Sequence, residues 1–128
     1  MAVPSRDDLA EDRTDLAEDR TVLASERTFA GWLRTGFAAT GIALAFNALF
    51  VRLEPPWVPR AVATMFLVIA VMIFAGAERR AVEVLGKLDA HRVRTLKTRN
   101  IRWIAFLSIT ATVALIATIW LLPVDPAK

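Results

Sequence analysis

Apolar residues are gathered into three long blocks along the chain. The blocks cover residues 36–53, 57–77 and 101–122, and each contains a single charged residue close to one end. Each block has roughly the 20 residues with which a helix crosses about 30 Å of hydrocarbon. Because no water in a bilayer can satisfy exposed backbone groups, helices are required there. The pattern therefore predicts an all-α fold with three transmembrane helices, termed span 1, span 2 and span 3 in chain order.

The four tryptophans support these boundaries. Trp32 precedes span 1, Trp57 opens span 2, and Trp103 and Trp120 stand near the two ends of span 3. Tryptophan favours the membrane–water interface, where its ring is buried and its N–H group remains hydrated. The tryptophans therefore indicate where each predicted span leaves the hydrocarbon.

Composition excludes several classes of protein. The chain has 128 residues, the size of one small domain, with 55% hydrophobic residues and no cysteine. The hydrophobic content argues against intrinsic disorder, and the lack of cysteine excludes a disulfide scaffold and a cysteine-based metal or redox site. Three buried helices of a soluble domain are the alternative, but a domain this small has no outer shell to bury them. We therefore expect a single membrane domain over residues 1–128.

Basic residues lie almost entirely on one predicted side of the bilayer. Thirteen of the 16 are in the segment before span 1, in the loop between spans 2 and 3, or just beyond that loop at Arg102, namely Arg6, Arg13, Arg20, Arg27, Arg34, Arg79, Arg80, Lys87, Arg92, Arg94, Lys97, Arg99 and Arg102. The positive-inside rule places the N-terminus and this loop in the cytoplasm and the C-terminus outside. Residues 54–56 then form a tight outer turn, and residues 78–100 form a basic cytosolic loop that we expect to be helical.

The segment before span 1 repeats every seven residues. Residues 8–14 and 15–21 are both DLAEDRT, residues 22–28 are VLASERT, and residues 29–35 are FAGWLRT. Ser5 with Asp8 resembles a capping box, and neither Gly nor Pro interrupts residues 5–30. A seven-residue period keeps one stripe nearly fixed on a helix. We therefore predict a cytosolic amphipathic helix over residues 7–35 that is continuous with span 1.

The repeat separates its arginines from its acidic residues. At about 100° per residue, the arginines share a face with leucine and alanine, and the acids occupy the other face. Arg13, Arg20, Arg27 and Arg34 have no acidic residue three or four positions away, so the usual intrahelical ion pair is missing. They either snorkel to water or lipid phosphates, or meet a neighbouring copy, the basic loop or a bound anion. For Arg27 and Arg34 we favour the second interpretation, contact with another surface or an anion, because an unpaired guanidinium near hydrocarbon is costly.

Residues 23–44, LASERTFAGWLRTGFAATGIAL, resemble the signature of the YidH-like small membrane proteins (domain-of-unknown-function family 202), which reads roughly L-A-x-E-R-T-x-L-A-W-x-R-T. The matching positions are Leu23, Ala24, Glu26, Arg27, Thr28, Trp32, Arg34 and Thr35. Ala30 and Gly31 depart from the usual Leu-Ala, and the upstream DLAEDRT copies look like an extension of this chain. The resemblance implies three spans with this spacing and a location in the bacterial plasma (inner) membrane.

The resemblance also implies an assembly that handles anions. The same domain occurs in the membrane part of the eukaryotic vacuolar transporter chaperone complex, where copies surround a basic pore that passes polyphosphate made by a separate catalytic domain. By analogy, Arg27 and Arg34, with Glu26 as a pairing group, would line or brace a subunit interface. This analogy between the vacuolar complex and the present chain rests on fold-level similarity.

Candidate residues follow from these patterns. The candidate anion or interface residues are Arg13, Arg20, Glu26, Arg27, Arg34, Glu78, Arg79 and Arg80. Glu78 is a candidate partner for Arg34, and Arg79 or Arg80 for Glu26. Small residues at four-residue spacing, such as Gly41 and Ala45, let helices approach closely. Asn47 would hydrogen-bond between helices or line a wet path.

Nothing in the sequence indicates an enzyme, a metal site or a cofactor. It has no Gly-rich phosphate loop or nucleophile motif, and its only histidine, His91, stands in the basic loop without other metal-ligating residues. The N-terminal acids lie on a helix face rather than in a chelating loop. We expect no nucleic-acid partner, because neither a binding fold nor stacking aromatics accompany the basic loop.

These observations lead to two functional hypotheses. The first is a homo-oligomeric membrane scaffold or pore-type subunit whose arginine-lined cytosolic face interacts with polyphosphate or lipid headgroups. The alternative is a non-conducting interaction or regulatory protein that recruits a partner through its N-terminal helix.

Overall fold

Every regular element of the described chain is a helix. The computed structural model describes residues 3–87 and 94–122, and the all-α prediction is confirmed for them. Helix α1 is Arg6–Leu49, α2 is Trp57–Lys87 and α3 is Arg94–Leu121. The middle of the predicted basic loop, with His91, and the C-terminal residues 123–128 lie outside the described residues.

Helix α1 runs without a break for 44 residues. The predicted capping box is confirmed: the backbone N–H of Ser5 donates to Asp8 Oδ2 at 2.8 Å, and the backbone N–H of Asp8 donates to Ser5 Oγ at 3.1 Å. The first of these bonds holds the pKa of Asp8 below the ordinary value of an aspartate. The helix ends at Leu49, before the predicted end of span 1, and residues 50–53 form turns ahead of the two prolines.

The N-terminal part of α1 stands apart from the other helices. We call residues 6–20 the arm; all of its side chains except Glu18 are exposed. Thr21 of α1 shares a groove with Val84 in the last turn of α2. The arm, which precedes Thr21, is about 22 Å long at 1.5 Å per residue.

Helix α2 is the centre of the fold and packs against both α1 and α3. Near the arm, Phe29 of α1 and Ile101 of α3 meet the alanines of the last turns of α2. In the middle, Ala39 of α1 packs against Ala70 and Phe74 of α2, and at the far end all three helices meet again around Leu67. Small residues on one face of α1 thus meet larger side chains of α2.

Helices α1 and α2 approach each other closely at Gly36. A Cβ at this position would stand 2.8 Å from Cζ and 2.9 Å from Cδ1 of Phe74, whose side chain is fully buried. Because a buried ring has no free space to move into, the backbone of α1 can lie this close only when residue 36 is glycine.

Helices α2 and α3 are long and apolar enough to cross a membrane, over Trp57–Gly86 and Arg99–Leu121. Only 28% and 22% of the residues in their most apolar windows are buried inside the protein. Large side chains such as Met72, Phe106 and Leu107 point outward, and an apolar surface of this extent needs lipid or another protein to cover it. The apolar part of α1 that is helical, residues 36–49, spans about 21 Å, so span 1 stays a prediction.

The contact at Gly36 can be tested with one methyl group. Gly36→Ala forces a clash with Phe74, whereas Gly31→Ala adds a methyl group where nothing lies within 4 Å. Both changes raise helix propensity equally, so their difference isolates the clash. We expect Gly36→Ala to be less stable than Gly31→Ala by about 1–3 kcal/mol in unfolding titrations in mild detergent. Equal stability of the two variants would contradict the close approach.

The capping box predicts a local, pH-dependent effect. Ser5→Ala should cost about 1 kcal/mol and raise hydrogen exchange in the first turn about five-fold, while Thr14→Ala, inside the arm, should leave that turn unchanged. Because the pKa of Asp8 is lowered in the helix, its contribution is present at neutral pH and is lost as the pH falls through that lowered pKa. A first turn equally protected in Ser5→Ala would contradict the cap.

Candidate functional site

Helix α1 has one face that packs against α2 and an opposite face that is exposed. The face toward α2 carries the buried residues Phe29, Gly36, Ala39 and Ala43. At about 100° per residue, Arg27 and Arg34 lie roughly 160–180° from Gly36, on the side turned away from α2, and both are exposed. The close contact at Gly36 therefore aims these arginines at the surroundings of the protein.

Small residues continue the arginine stripe toward the far end of α1. Ala38, Gly41 and Ala45 are exposed, and a Cβ at Gly41 would meet nothing within 4 Å. We call Arg27, Arg34 and these three residues the outer face. Among the described residues, Gly41 and Ala45 do not make the predicted helix packing, because the small residues that contact α2 are those of the opposite face. Asn47 is half-buried on the side toward α2.

The arm extends the same stripe with two further arginines. Arg13 and Arg20 are exposed, and neither they nor Arg27 and Arg34 make an ion pair within the described part of the chain. The threonine after each of the four arginines donates to the carbonyl four residues earlier, at 2.9–3.1 Å. These hydroxyls therefore turn back onto the helix and leave the guanidinium groups as the polar groups that reach furthest outward.

Glu78 has a different partner from the one that we predicted. Its Oε1 lies 3.4 Å from Nε of Arg102 on α3. Arg34 cannot take this place, because it lies on the side of α1 that is turned away from α2. Arg79 and Arg80 are exposed, and a pairing of either with Glu26 stays a prediction.

A groove of about 200 Å³ lies between α1 and α2 beside the arm. Its lining residues are Thr21, Ala24, Ser25, Thr28, Phe29, Trp32, Ala77, Arg80, Ala81 and Val84. Of these, Arg80 was predicted as a candidate site residue, and Ala24, Thr28 and Trp32 belong to the family signature. The hydroxyls of Thr21 and Thr28 already donate to the backbone. Arg80, Ser25 and Trp32 are therefore the lining side chains whose donors have no partner within the described residues, so the groove offers few donors to a ligand.

Tryptophans mark two levels along the helices. Trp32 lies against Gly76, at 3.5 Å from the position of a Cβ there, and Trp57 begins α2. The stretch of α2 between these contacts is about 28 Å long, close to the hydrocarbon thickness of a bilayer. Nε1 of Trp120 donates to Oγ1 of Thr64 at 3.0 Å, about 10 Å along α2 from Trp57. Arg34, two residues from Trp32, thus lies near the Trp32 end of this stretch.

The ion pair of Glu78 yields a test by charge reversal. Glu78→Arg and Arg102→Glu should each be destabilising, and the double reversal should recover about 0.2–1 kcal/mol, the range for exposed pairs. Combining Glu78→Arg with Arg34→Glu should recover nothing. Unfolding of the four variants in detergent measures both coupling energies. Coupling to Arg34 instead of Arg102 would contradict the arrangement.

Comparison with known proteins gives one family. The family model described as domain of unknown function (DUF202) matches residues 20–87, more than half of the chain. The match begins at the end of the arm and runs through the end of α2, so α3 and most of the arm lie outside it. No curated protein and no solved structure matches the chain.

Proposed function

We propose that this chain, which belongs to the DUF202 family, is a homo-oligomeric subunit of the bacterial plasma membrane whose outer face holds phosphate-rich anions. Its two apolar helices and its family indicate a membrane protein. The copies would act as a scaffold or a pore, with the arginines at its cytosolic mouth. The proposal goes from topology to assembly to ligand.

The proposed topology has three spans. Residues 36–49 of α1, together with the turn that follows, would cross beside α2 and α3. The N-terminus and the region between α2 and α3 would be cytoplasmic and the C-terminus outside, because basic residues are concentrated on the first side. The levels of Trp32 and Trp57 then correspond to the two interfaces of the bilayer.

The observation that carries the proposed assembly is the small side chains of the outer face. Exposed large apolar residues such as Met65, Met72 and Phe106 are typical of lipid-facing helices. Exposed small residues at three- or four-residue spacing occur on α3, at Thr110, Ala114 and Thr118, and on the outer face of α1, at Ala38, Gly41 and Ala45. On α1 they continue the stripe of Arg27 and Arg34. Small residues favour close contact between helix backbones in a membrane, so we propose that the outer faces of several copies meet around one axis.

Such an assembly would gather Arg27 and Arg34 from every copy. A guanidinium group binds phosphate through two parallel hydrogen bonds, and its electrostatic attraction is stronger near hydrocarbon than in water. The ligand class that fits is an anion with several phosphate groups or phosphate headgroups. Polyphosphate and anionic lipid share this chemistry.

A non-conducting interaction protein is the second candidate. The observation that favours it is the arm, whose side chains are almost all exposed and could bind a partner protein. Flux through the membrane separates the two functions, because recruitment by the arm requires none.

Reconstituted liposomes test the proposed function. Purified protein should let short-chain polyphosphate cross, and Arg34→Ala or Arg27→Ala should lower the flux at least ten-fold. Arg99→Ala removes an exposed arginine on α3 at the same level and should leave the flux unchanged. Liposomes with and without anionic lipid distinguish a lipid headgroup from polyphosphate as the bound anion.

Two results would contradict this function. Equal flux in all variants would show that the outer face does not hold the anion. A monomer in mild detergent at every concentration would remove the proposed assembly. An oligomer without any flux would favour the non-conducting alternative.

A further inference from the structure

Within the described residues, no other helix covers the side chains of the arm. It consists of 15 residues, and all of its side chains except one are exposed. An isolated helix of this length is marginal in water even with a good N-cap, whereas the arm is propagated from the rest of α1. Another surface would add the packing that its exposed side chains lack within the described residues.

Leucines form a stripe along the arm and its junction with the rest of α1. Leu9, Leu16 and Leu23 are seven residues apart, with exposures of 44%, 61% and 62%. A seven-residue apolar period on an exposed helix is typical of a coiled-coil seam, where one stripe faces the partner continuously. With leucine at the d positions of the heptads, the arginines occupy the a positions.

The charges beside the stripe are complementary to each other but unpaired within the helix. Arg13 and Arg20 lie on one side of the leucines, and Asp12 and Asp19 lie on the other, at the g positions. None of these four has an oppositely charged residue three or four positions away, and none forms an ion pair within the described residues. In a parallel coiled coil, an a-position side chain lies beside the g position of the partner helix. A second copy of the arm therefore supplies the missing charges.

We propose that the arm forms a parallel, in-register coiled coil with the arms of other copies of this chain. Arg13 and Arg20 of one copy then pair with Asp12 and Asp19 of its neighbour. Copies inserted with the same topology point their arms in the same direction, which fixes the parallel orientation. This assigns the arm arginines to pairing between copies, whereas Arg27 and Arg34 remain available to anions.

The inference rests on the oligomer of the proposed function. Three heptads are too few to associate freely at low concentration. Joining the arms to an assembled membrane domain raises their effective concentration to the millimolar range, which compensates for the short seam.

A membrane surface is the competing partner, and the charge of the arm argues against it. The arm carries seven acidic residues and three basic ones. Anionic headgroups attract basic segments and repel acidic ones. The arm is also continuous with the rest of α1, so it cannot turn to lie flat on the bilayer without breaking that helix.

Cysteine cross-linking of the full-length protein in proteoliposomes tests the arrangement, because the chain has no native cysteine. Leu16→Cys is in the seam, and identical residues meet there in a parallel, in-register coil. Glu11→Cys is exposed on the opposite side of the arm and serves as the control. We expect oxidation to cross-link the first variant at least five-fold more than the control.

Charge exchange tests the pairing itself. One variant carries Arg13→Glu with Arg20→Glu, and the other carries Asp12→Lys with Asp19→Lys, each in the Leu16→Cys background. Either variant alone should lose most of its cross-linking, and co-expression of the two should restore it between unlike chains. Lack of restoration would overturn the assigned ion pairs.

A separate cysteine distinguishes failure of the arm from failure of the oligomer. Ala38→Cys lies on the outer face, where the proposed assembly brings copies together. Cross-linking through Ala38→Cys without cross-linking through Leu16→Cys would overturn the coiled coil and leave the oligomer standing. Lack of both would overturn both. Equal cross-linking of Leu16→Cys and Glu11→Cys would also overturn the coiled coil, because it indicates random contact.

Discussion

The contact between Gly36 and Phe74 determines what the rest of α1 can do. Without a side chain at residue 36, the backbone of α1 reaches the buried ring of α2. That contact fixes the rotation of α1 about its own axis. Because Arg27 and Arg34 lie on the opposite side of the same rigid helix, their direction follows from this contact. If α1 were rotated by one residue position, about 100°, the arginine stripe would no longer point away from α2.

Small residues on two faces give α1 two different packing surfaces. One face lies against α2, and the other is exposed together with the arginines. A transmembrane helix gains little from burying apolar area, since lipid is as apolar as the protein interior, and close backbone contact takes over that role. Having small residues on both faces thus allows α1 to lie between its own α2 and a helix of another copy.

Local features were predictable from the sequence, whereas helix rotation was not. The capping box depends only on neighbours within one helix, and the structure has it. Gly41 was a reasonable packing candidate, because both small-residue faces of α1 have the same spacing. Which of the two faces packs against α2 depends on the position of Phe74, 38 residues away along the chain from Gly36. The partner of Glu78 was missed for the same reason, since it depends on the rotation of α2.

The residues next to the four arginines of the seven-residue repeat differ in charge along α1. The residue just before each arginine is Asp12, Asp19, Glu26 and then Leu33. Thus the two arginines of the arm have an aspartate at the position that a neighbouring copy would present to them, and Arg34 has no acidic residue there. Leu33 instead packs against the core formed with α2. The register that would balance Arg13 and Arg20 leaves Arg34 without compensation, close to the apolar part of α1, where an unpaired charge is costly. Of the four arginines, Arg34 is therefore the one for which the proposed anion matters most.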